Sequence, residues 1–334
     1  MDWYQNLLRP VFFCLDPEFA HDVSLRSLQL TSRAPALLRW FTGDVAPKPR
    51  KVFGLTFPNP VGLAAGVDKN AVAIPAWAAL GFGFAEVGTV TAEAQPGNPK
   101  PRLFRYPQHR ALVNRMGFNN DGACTVAARL RAARRRPSWP GIPVGINIGK
   151  TKVVPLEQAA EDYLRSFRLL REVGDYFVLN VSSPNTPGLR TLQERPALRA
   201  LFRAVQAENP GKPMLVKIAP DLGFEQIEDA LALVREHGLA GVIATNTTLN
   251  HQALGADQGE PGGLSGRPLR ERSLEILRFL KARASIPVIS AGGIMDVADA
   301  RARFDAGADL IQLYTGFIYG GPALVREIVR CNRI

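Results

Sequence analysis

Residues 176–190 read YFVLNVSSPNTPGLR, and this stretch decides the fold. Tyr176, Phe177, Val178 and Leu179 form an unbroken apolar run with no polar alternation, as a parallel strand buried on both faces requires. The run opens into a segment in which Ser182 and Ser183 lie between Asn180 and Asn185, while Pro184, Pro187 and Gly188 restrict the backbone. A polar loop at the end of a buried strand is where enzymes place reactive side chains.

The same pattern recurs on both sides. Short apolar runs ending in polar residues or glycine occur at 61–65, 84–90, 144–148, 176–181, 214–219, 241–245, 288–291 and 310–314. Between them, helical spacing occupies 71–80, 123–134, 156–173, 196–207, 224–237, 270–282, 297–305 and 322–329. Strands alternating with helices in this number predict an α/β fold, a closed (β/α)8 TIM barrel, whose usual requirement of roughly 250 residues is met after about Asp44. A doubly wound open sheet is the other architecture such alternation permits. The expected organisation is a helical extension over 1–42 and a barrel over 43–334.

In a barrel the loops after the strands' carboxyl ends form the active face. Polar residues collect there: Gly66, Asp68 and Lys69 after the first strand, Thr89 after the second, Asn147 and Lys150 after the third, and 180–190 after the fourth. Lys217 lies on the fifth, Thr245, Asn246, Thr247 and Thr248 end the sixth, Gly292 and Gly293 the seventh, and Tyr314, Thr315 and Gly316 the eighth. Either glycine turn alone is an ordinary tight turn. Together on the last two strands they stand where such barrels hold a phosphate through backbone N–H groups and a helix start, so a phosphorylated cofactor or substrate is expected. GINIGKT at 145–151 is one residue short of a P-loop between its glycines and reads as a strand end carrying Asn147.

With 334 residues, 46% of them hydrophobic, the chain can bury one large core. The formal net charge of +11 invites an anionic partner. Its densest run, 131–136, has no interleaved aromatics and reads as a solvated helix end, so no nucleic acid is expected. Cys14, Cys124 and Cys331 make no C-x-x-C pair and no metal-ligand spacing with the four histidines. That pattern suggests a reducing compartment and no bound metal. In the extension, Trp3, Tyr4, Leu7, Leu8, Val11 and Phe12 recur at helical spacing, followed by Phe19, Val23, Leu28 and Leu30, then Leu37, Leu38, Trp40 and Phe41. No apolar run approaches the ~20 residues of a spanning helix, and Asp2, Arg9 and Asp16 interrupt any signal-peptide core. Such helices either pack on the barrel or lie in a membrane interface.

Several longer motifs carry a family resemblance. They are FGLTFPNPVGLAAGVDKN at 53–70, GTVT at 88–91, QPGNPKPRLFR at 95–105, NRMGFNN at 114–120, NVSSPNTPGLRTLQ at 180–193, KIAPDL at 217–222, TNTT at 245–248, GGLSGRPL at 262–269 and AGGI at 291–294. In this order, over nearly the whole chain, they resemble dihydroorotate dehydrogenase. The helical extension and a serine at Ser183 resemble class 2, the membrane-associated, quinone-reducing branch; class 1 has cysteine as the base.

The resemblance implies oxidation of dihydroorotate to orotate in pyrimidine (UMP) biosynthesis, with FMN as redox cofactor and ubiquinone or a related quinone as acceptor. It also implies peripheral attachment at the cytoplasmic side of the cell inner membrane. By resemblance Ser183 is the base that takes the C5 proton. A free serine hydroxyl is a poor base and needs a relay for its own proton, in which Thr186 is placed. Asn114, Asn185, Asn246 and Thr247 are placed on the substrate with Lys69, Asn180 and the segment Arg115, Met116, Gly117 and Phe118. An amide side chain matches the alternating N–H and C=O edge of a pyrimidine. For FMN the resemblance marks Ala65, Gly66, Val67, Asp68, Lys69, Thr89, Asn147, Asn180, Lys217, Thr245, Gly266, Gly293, Tyr314 and Thr315, with the phosphate at Gly293 and Thr315. Lys217, set among Leu215, Val216 and Ile218, is costly to bury unpaired and is expected to face the flavin. His21, Arg105 and Tyr314 fall to the quinone site. Arg105 lies in a proline-rich stretch, 91–114, of a length that usually signals function or disorder. A dihydrouridine synthase is a rival FMN barrel, but it needs a catalytic cysteine and none of the three follows a barrel strand. A silent membrane-surface module would lack Ser183, Asn185 and Lys217.

Overall fold

The computed structural model describes residues 3–257 and 259–331. Met1, Asp2, Gln258 and 332–334 lie outside the described residues, and with them Asp2 of the expected extension and the outer ends of both expected parts. A π-helical turn, Tyr4–Leu8, leads into α1 (Arg9–Cys14), α2 (Pro17–Thr31) and α3 (Pro35–Thr42). Each of these helices carries proline in its first turn, where a missing N–H breaks no helical bond. Asp16 caps α2 by accepting the Phe19 N–H at 2.9 Å. An antiparallel hairpin, β1 (Arg50–Val52) and β2 (Leu55–Phe57), follows. Phe57 is fully buried and sets its ring edge-on to Phe84, with centroids 5.2 Å apart. Phe84 and Tyr176 each open a barrel strand, so the hairpin plugs the barrel's amino end.

The chain then alternates as read from the sequence. In order come β3 (Val61–Leu63), α4 (Ile74–Ala79), β4 (Phe84–Val90), β5 (Leu103–Tyr106), β6 (Ala111–Asn114), α5 (Ala123–Arg134), β7 (Val144–Ile148), α6 (Ala159–Leu170), β8 (Tyr176–Asn180) and α7 (Arg195–Ala207). They are followed by β9 (Met214–Ile218), α8 (Phe224–Glu236), β10 (Gly241–Ala244), β11 (Gly263–Gly266), α9 (Arg270–Arg283), β12 (Val288–Ala291), α10 (Val297–Asp305), β13 (Leu310–Leu313) and α11 (Thr315–Cys331). Among the described residues, β3, β4, β7, β8, β9, β10, β12 and β13 close into a parallel barrel, which settles the choice against an open sheet. Every residue of these strands is buried, as the unbroken apolar runs require.

The differences from the sequence reading have local causes. The helix expected from 71 begins at Ile74, because the buried Asp68 carboxylate accepts the Val72 and Ala73 N–H groups and the Trp77 indole, all within 3.0 Å, and holds the preceding turn open. The helix expected over 156–173 starts with a 3-10 turn, Leu156–Gln158. The proline-rich stretch 91–114 is ordered: β5 and β6 pair with each other and with β11 as a three-stranded antiparallel sheet. Since β6 lies between β4 and β7 and β11 follows β10, this sheet stands over the barrel's carboxyl face. The last helical run begins at Thr315, earlier than expected, and breaks at Gly321 (φ +65°) before Pro322. Leu25, Leu28 and Leu38 of the extension pack on the barrel core. Leu7, Val11, Phe19, Leu30, Leu37 and Trp40 point to solvent. Among the described residues no helix is long and apolar enough to cross a membrane.

Candidate functional site

The strand register brings the polar residues together. Asn180 ends β8 opposite Lys217 of β9, and Asn147 of β7 stands opposite Val178 of β8, so successive strands deliver side chains to one level of the barrel. There they form a continuous network. Thr89 Oγ1 donates to Asn147 Oδ1 at 2.6 Å, and Asn147 Nδ2 donates to Glu86 Oε1 at 2.8 Å. Asn180 Nδ2 donates to Thr89 Oγ1 at 2.9 Å, and Asn246 Nδ2 donates to Ser182 Oγ at 2.9 Å. Gln312 Nε2 donates to Glu86 Oε2 at 2.5 Å, and the Lys217 ammonium lies 3.9 Å from Glu86. The buried ammonium, costly to leave unpaired, thus has a fully buried counter-ion. Neither half of such a pair could be deleted without stranding a charge.

Above this floor is a cavity with about 1090 Å³ of empty space including its mouth. Of the residues singled out from the sequence, Ala65, Gly66, Lys69, Thr89, Asn114, Met116, Gly117, Phe118, Asn180, Ser183, Asn185, Lys217, Thr245, Asn246, Thr247, Gly266, Gly293, Tyr314 and Thr315 line it. Ser183 is 6% exposed, and its Oγ accepts the Asn185 N–H at 3.2 Å. Ser182 is fully buried and bonds to Asn180 and Asn246, so of the two serines only Ser183 faces the cavity. Asn185 Nδ2 donates to Asn114 Oδ1 at 3.1 Å. Thr247 Oγ1 is buried without a hydrogen-bond partner, an arrangement that costs stability until a ligand satisfies it. The Lys69 ammonium donates to the Gly66 carbonyl at 2.8 Å, and burial, reinforced by the charge of Arg102, lowers its pKa to about 8.

At one end of the cavity lie Gly292, Gly293, Thr315 and Gly316. Gly293 has φ +71°, and a Cβ there would collide with the Arg270 backbone at the start of α9. Thr315 begins α11, whose first N–H groups have no partners within the helix. Its hydroxyl lies 2.9 Å from Ser265 Oγ. Bare backbone N–H groups and a helix start suit a phosphate, and the polar floor and paired Lys217 suit a flavin ring system. The residues present therefore fit FMN.

A second, mostly apolar cavity of about 1270 Å³, again including its mouth, lies between the extension and the barrel. Val67, His21, Arg105 and Tyr314 line it, with Trp3, Tyr4, Phe12, Phe13 and Leu28. Leu103, Leu112 and Tyr314 line both cavities, so these side chains stand between the two spaces. Arg105 is fixed by the Phe13 and Leu15 carbonyls at 3.1 and 3.0 Å and lies over the Phe13 ring. Burial, with the charge of Lys69 adding, lowers the His21 pKa to about 3, so its ring is neutral at ordinary pH. Tyr314 is raised to about 12 by burial.

Several of the sequence-marked residues line neither cavity. Asn147 lies in the floor, and Asp68 caps the turn before α4. Arg115 pairs with Glu260 at 2.8 Å and stacks on Phe104. The backbone carbonyl of buried Thr186 accepts from Leu189 N–H. Lys150 folds onto its own loop, donating to the carbonyls of Thr151, Lys152 and Val154. Sequence reasoning missed Glu86, Gln312, Ser265 and the Glu18–Arg102 pair. For Glu86 a signal was present: a carboxylate alone inside the apolar run FAEVGTV demands a buried partner.

The family model described as dihydroorotate dehydrogenase matches residues 49–331. Among curated relatives, a dihydroorotate dehydrogenase (quinone) of Salinispora arenicola is 55% identical, with 99% of each chain covered. One of Gloeobacter violaceus is 53% identical over 98% of this chain and 93% of its own. A crystal structure of DHODH from Eimeria tenella, in complex with ferulenol, superposes with a TM-score of 0.83 at 36% identity, covering 94% of this chain and 90% of that one. A barrel with this polar floor, this serine-bearing loop and this apolar second cavity, matched from hairpin to last helix, places the chain in the dihydroorotate dehydrogenase family.

Proposed function

We propose that this protein oxidises dihydroorotate to orotate for pyrimidine biosynthesis, holding FMN in the barrel cavity and passing the electrons to ubiquinone or a related quinone. The observation that carries the reading is the meeting of two unlike cavities at Leu103, Leu112 and Tyr314. One is polar-floored and holds the serine; the other is greasy and opens beneath the extension. Bound FMN supplies the acceptor for the hydride leaving substrate C6 and the link to the quinone. The chain's own residues do the rest. The Asn114–Asn185 bond and the free Thr247 hydroxyl mark the walls that receive the pyrimidine edge, whose N–H and C=O groups pair with amides on both sides. Asn246 and Asn180 hold Ser182 in place behind Ser183.

Ser183 Oγ takes the C5 proton as its own proton leaves, and the Asn185 N–H directed at Oγ favours the negative charge that develops there. Thr186 is our candidate for the next step of that relay, through water. Lys69 and Lys217 keep positive charge against the anionic substrate and the flavin. His21, Arg105 and Tyr314 are assigned to the quinone. Residues 1–42 form the access element and 43–334 the barrel. Exposed Leu7, Phe19, Leu30, Leu37 and Trp40, with exposed Arg26, Arg33 and Arg39, suit a peripheral position on an anionic membrane, which we assign to the cytoplasmic face of the inner membrane. We assign no role to nucleic acid.

The test follows the two half-reactions by flavin absorbance. Purified protein should be yellow, release FMN on heating, bleach with dihydroorotate and recover with a long-tailed quinone. Removing residues 1–42 should leave bleaching intact and slow recovery severely. Stoichiometric FAD, or equal recovery rates with and without the extension, would refute the corresponding assignment.

A further inference from the structure

The Gly292–Gly293 turn has φ +98° and +71° at its two residues and no side chain to bar rotation of the peptide between them. Something else must set which way that peptide faces. We propose that Arg303, which does not itself line the cavity, is a positioning residue for the cofactor phosphate: it pins the Gly292 carbonyl so that the Gly293 N–H is turned into the cavity. The inference rests on reading the cavity as an FMN site.

Arg303 projects from α10 and is 1% exposed. Its Nη2, with two protons to share, lies within hydrogen-bond distance of the carbonyls of Arg270 at 2.7 Å and Gly292 at 3.1 Å and of Ser273 Oγ at 2.9 Å. Ser273 Oγ lies 2.8 Å from both Gly292 O and Leu269 O, and its single proton can serve only one of them. The guanidinium is the donor that is always available. In a planar trans peptide the C=O and N–H point to opposite sides. Holding the Gly292 oxygen towards the α9–α10 side therefore directs the Gly293 N–H the other way, and Gly293 lines the cavity. The guanidinium forms no ion pair among the described residues. Asp299, one turn before it on α10, is engaged by Arg270 at 3.5 Å and by the Met295 N–H at 2.9 Å. Asp299 and Glu271 are near enough to act on the guanidinium but neither is within ion-pair distance, so positive charge stands behind the turn, where it favours an anion in front.

The experiment is a flavin exchange on the holoenzyme. Protein is equilibrated with mixtures of FMN and riboflavin, desalted, and the bound flavins are separated by chromatography. The bound ratio reports the worth of the phosphate and cancels general damage to the fold. Wild type should select FMN strongly; Arg303→Met should lose about tenfold or more of that selectivity, and Arg303→Lys, which keeps a charged donor, should retain it. Equal uptake of both flavins by the wild type would refute the phosphate reading beneath the inference. Strong selection by the wild type with an unchanged ratio in Arg303→Met would overturn the role of Arg303 alone. If Arg303→Met does not fold, Arg303→Gln against Arg303→Lys decides: lower selectivity in the glutamine variant supports the role, and wild-type selectivity in both overturns it.

Discussion

Glu18→Ala should loosen the extension from the barrel without unfolding the barrel. Glu18 of α2 is 5% exposed and Arg102 of the mouth segment 7%. Arg102 Nη2 meets Glu18 Oε1 at 2.7 Å, Nε reaches both carboxylate oxygens at 3.1 and 3.2 Å, and Lys100 adds a contact at 3.2 Å. The other guanidinium nitrogen holds the Pro96 and Asn98 carbonyls at 2.6 and 2.8 Å. The Asn98 side chain in turn donates to the Asn185 carbonyl at 3.1 Å. The pair therefore ties the extension to the loop behind the substrate wall.

Removing one partner of a buried pair costs about 3–5 kcal/mol, because the other charge is stranded. At about 1.4 kcal/mol per decade, that is a loss of roughly two to three and a half decades in the docking equilibrium. Hydrogen exchange reads it directly: amides of α2 should lose protection by about that factor, while those of β8 and β9 should not. The double variant Glu18→Ala/Arg102→Met should regain part of the loss, since no charge is left stranded. Burial pushes the Glu18 pKa up, but the hydrogen bonds and charges of Arg102 and Lys100 outweigh it and hold the carboxyl below its ordinary value. Its contribution is thus present above the ordinary carboxylate range and is lost only as pH falls through the lower folded value. Protection of α2 unchanged within about threefold, or an equal loss across the barrel, would refute the reasoning.

Ser183→Ala should slow flavin reduction by dihydroorotate by about 10²-fold or more, with FMN content and orotate affinity nearly unchanged; rapid-mixing absorbance reads this, and near-normal reduction excludes Ser183 as the base. Orotate affinity should fall as pH rises through about 8, where Lys69 loses its proton, and Lys69→Met should bind weakly without that inflection. Because burial lowers this lysine below its ordinary value, its ammonium costs folding stability below about pH 8, and the cost is relieved between there and the ordinary lysine range. An orotate titration that is flat across this range would show that Lys69 does not titrate at the site.

The wall residues Asn114 and Asn185 and the phosphate turn at Gly293 were legible because each lies within a long local motif, and local motifs survive in one dimension. Other parts depend on residues far apart in sequence. Glu86 meets Lys217 and Gln312 only because β4, β9 and β13 all face inward in one closed barrel. Arg303 reaches Gly292 only because α10 folds back beneath the turn that precedes it. The short strands of 91–114 were hidden by their prolines and found their pairing in β11, roughly 150 residues away by register, as with Asn114 opposite Gly263. Periodicity and motif order by themselves determined eight buried parallel strands alternating with helices and the serine-bearing loop, since burial on both faces writes an unbroken apolar run into each strand, while closure into a barrel was decided by the tertiary structure. Only the tertiary structure decided which charges are paired, which polar atoms remain free, and that the two cavities share three lining side chains. Those outcomes depend on distances across the closed barrel and between it and the extension, to which no spacing along the chain corresponds.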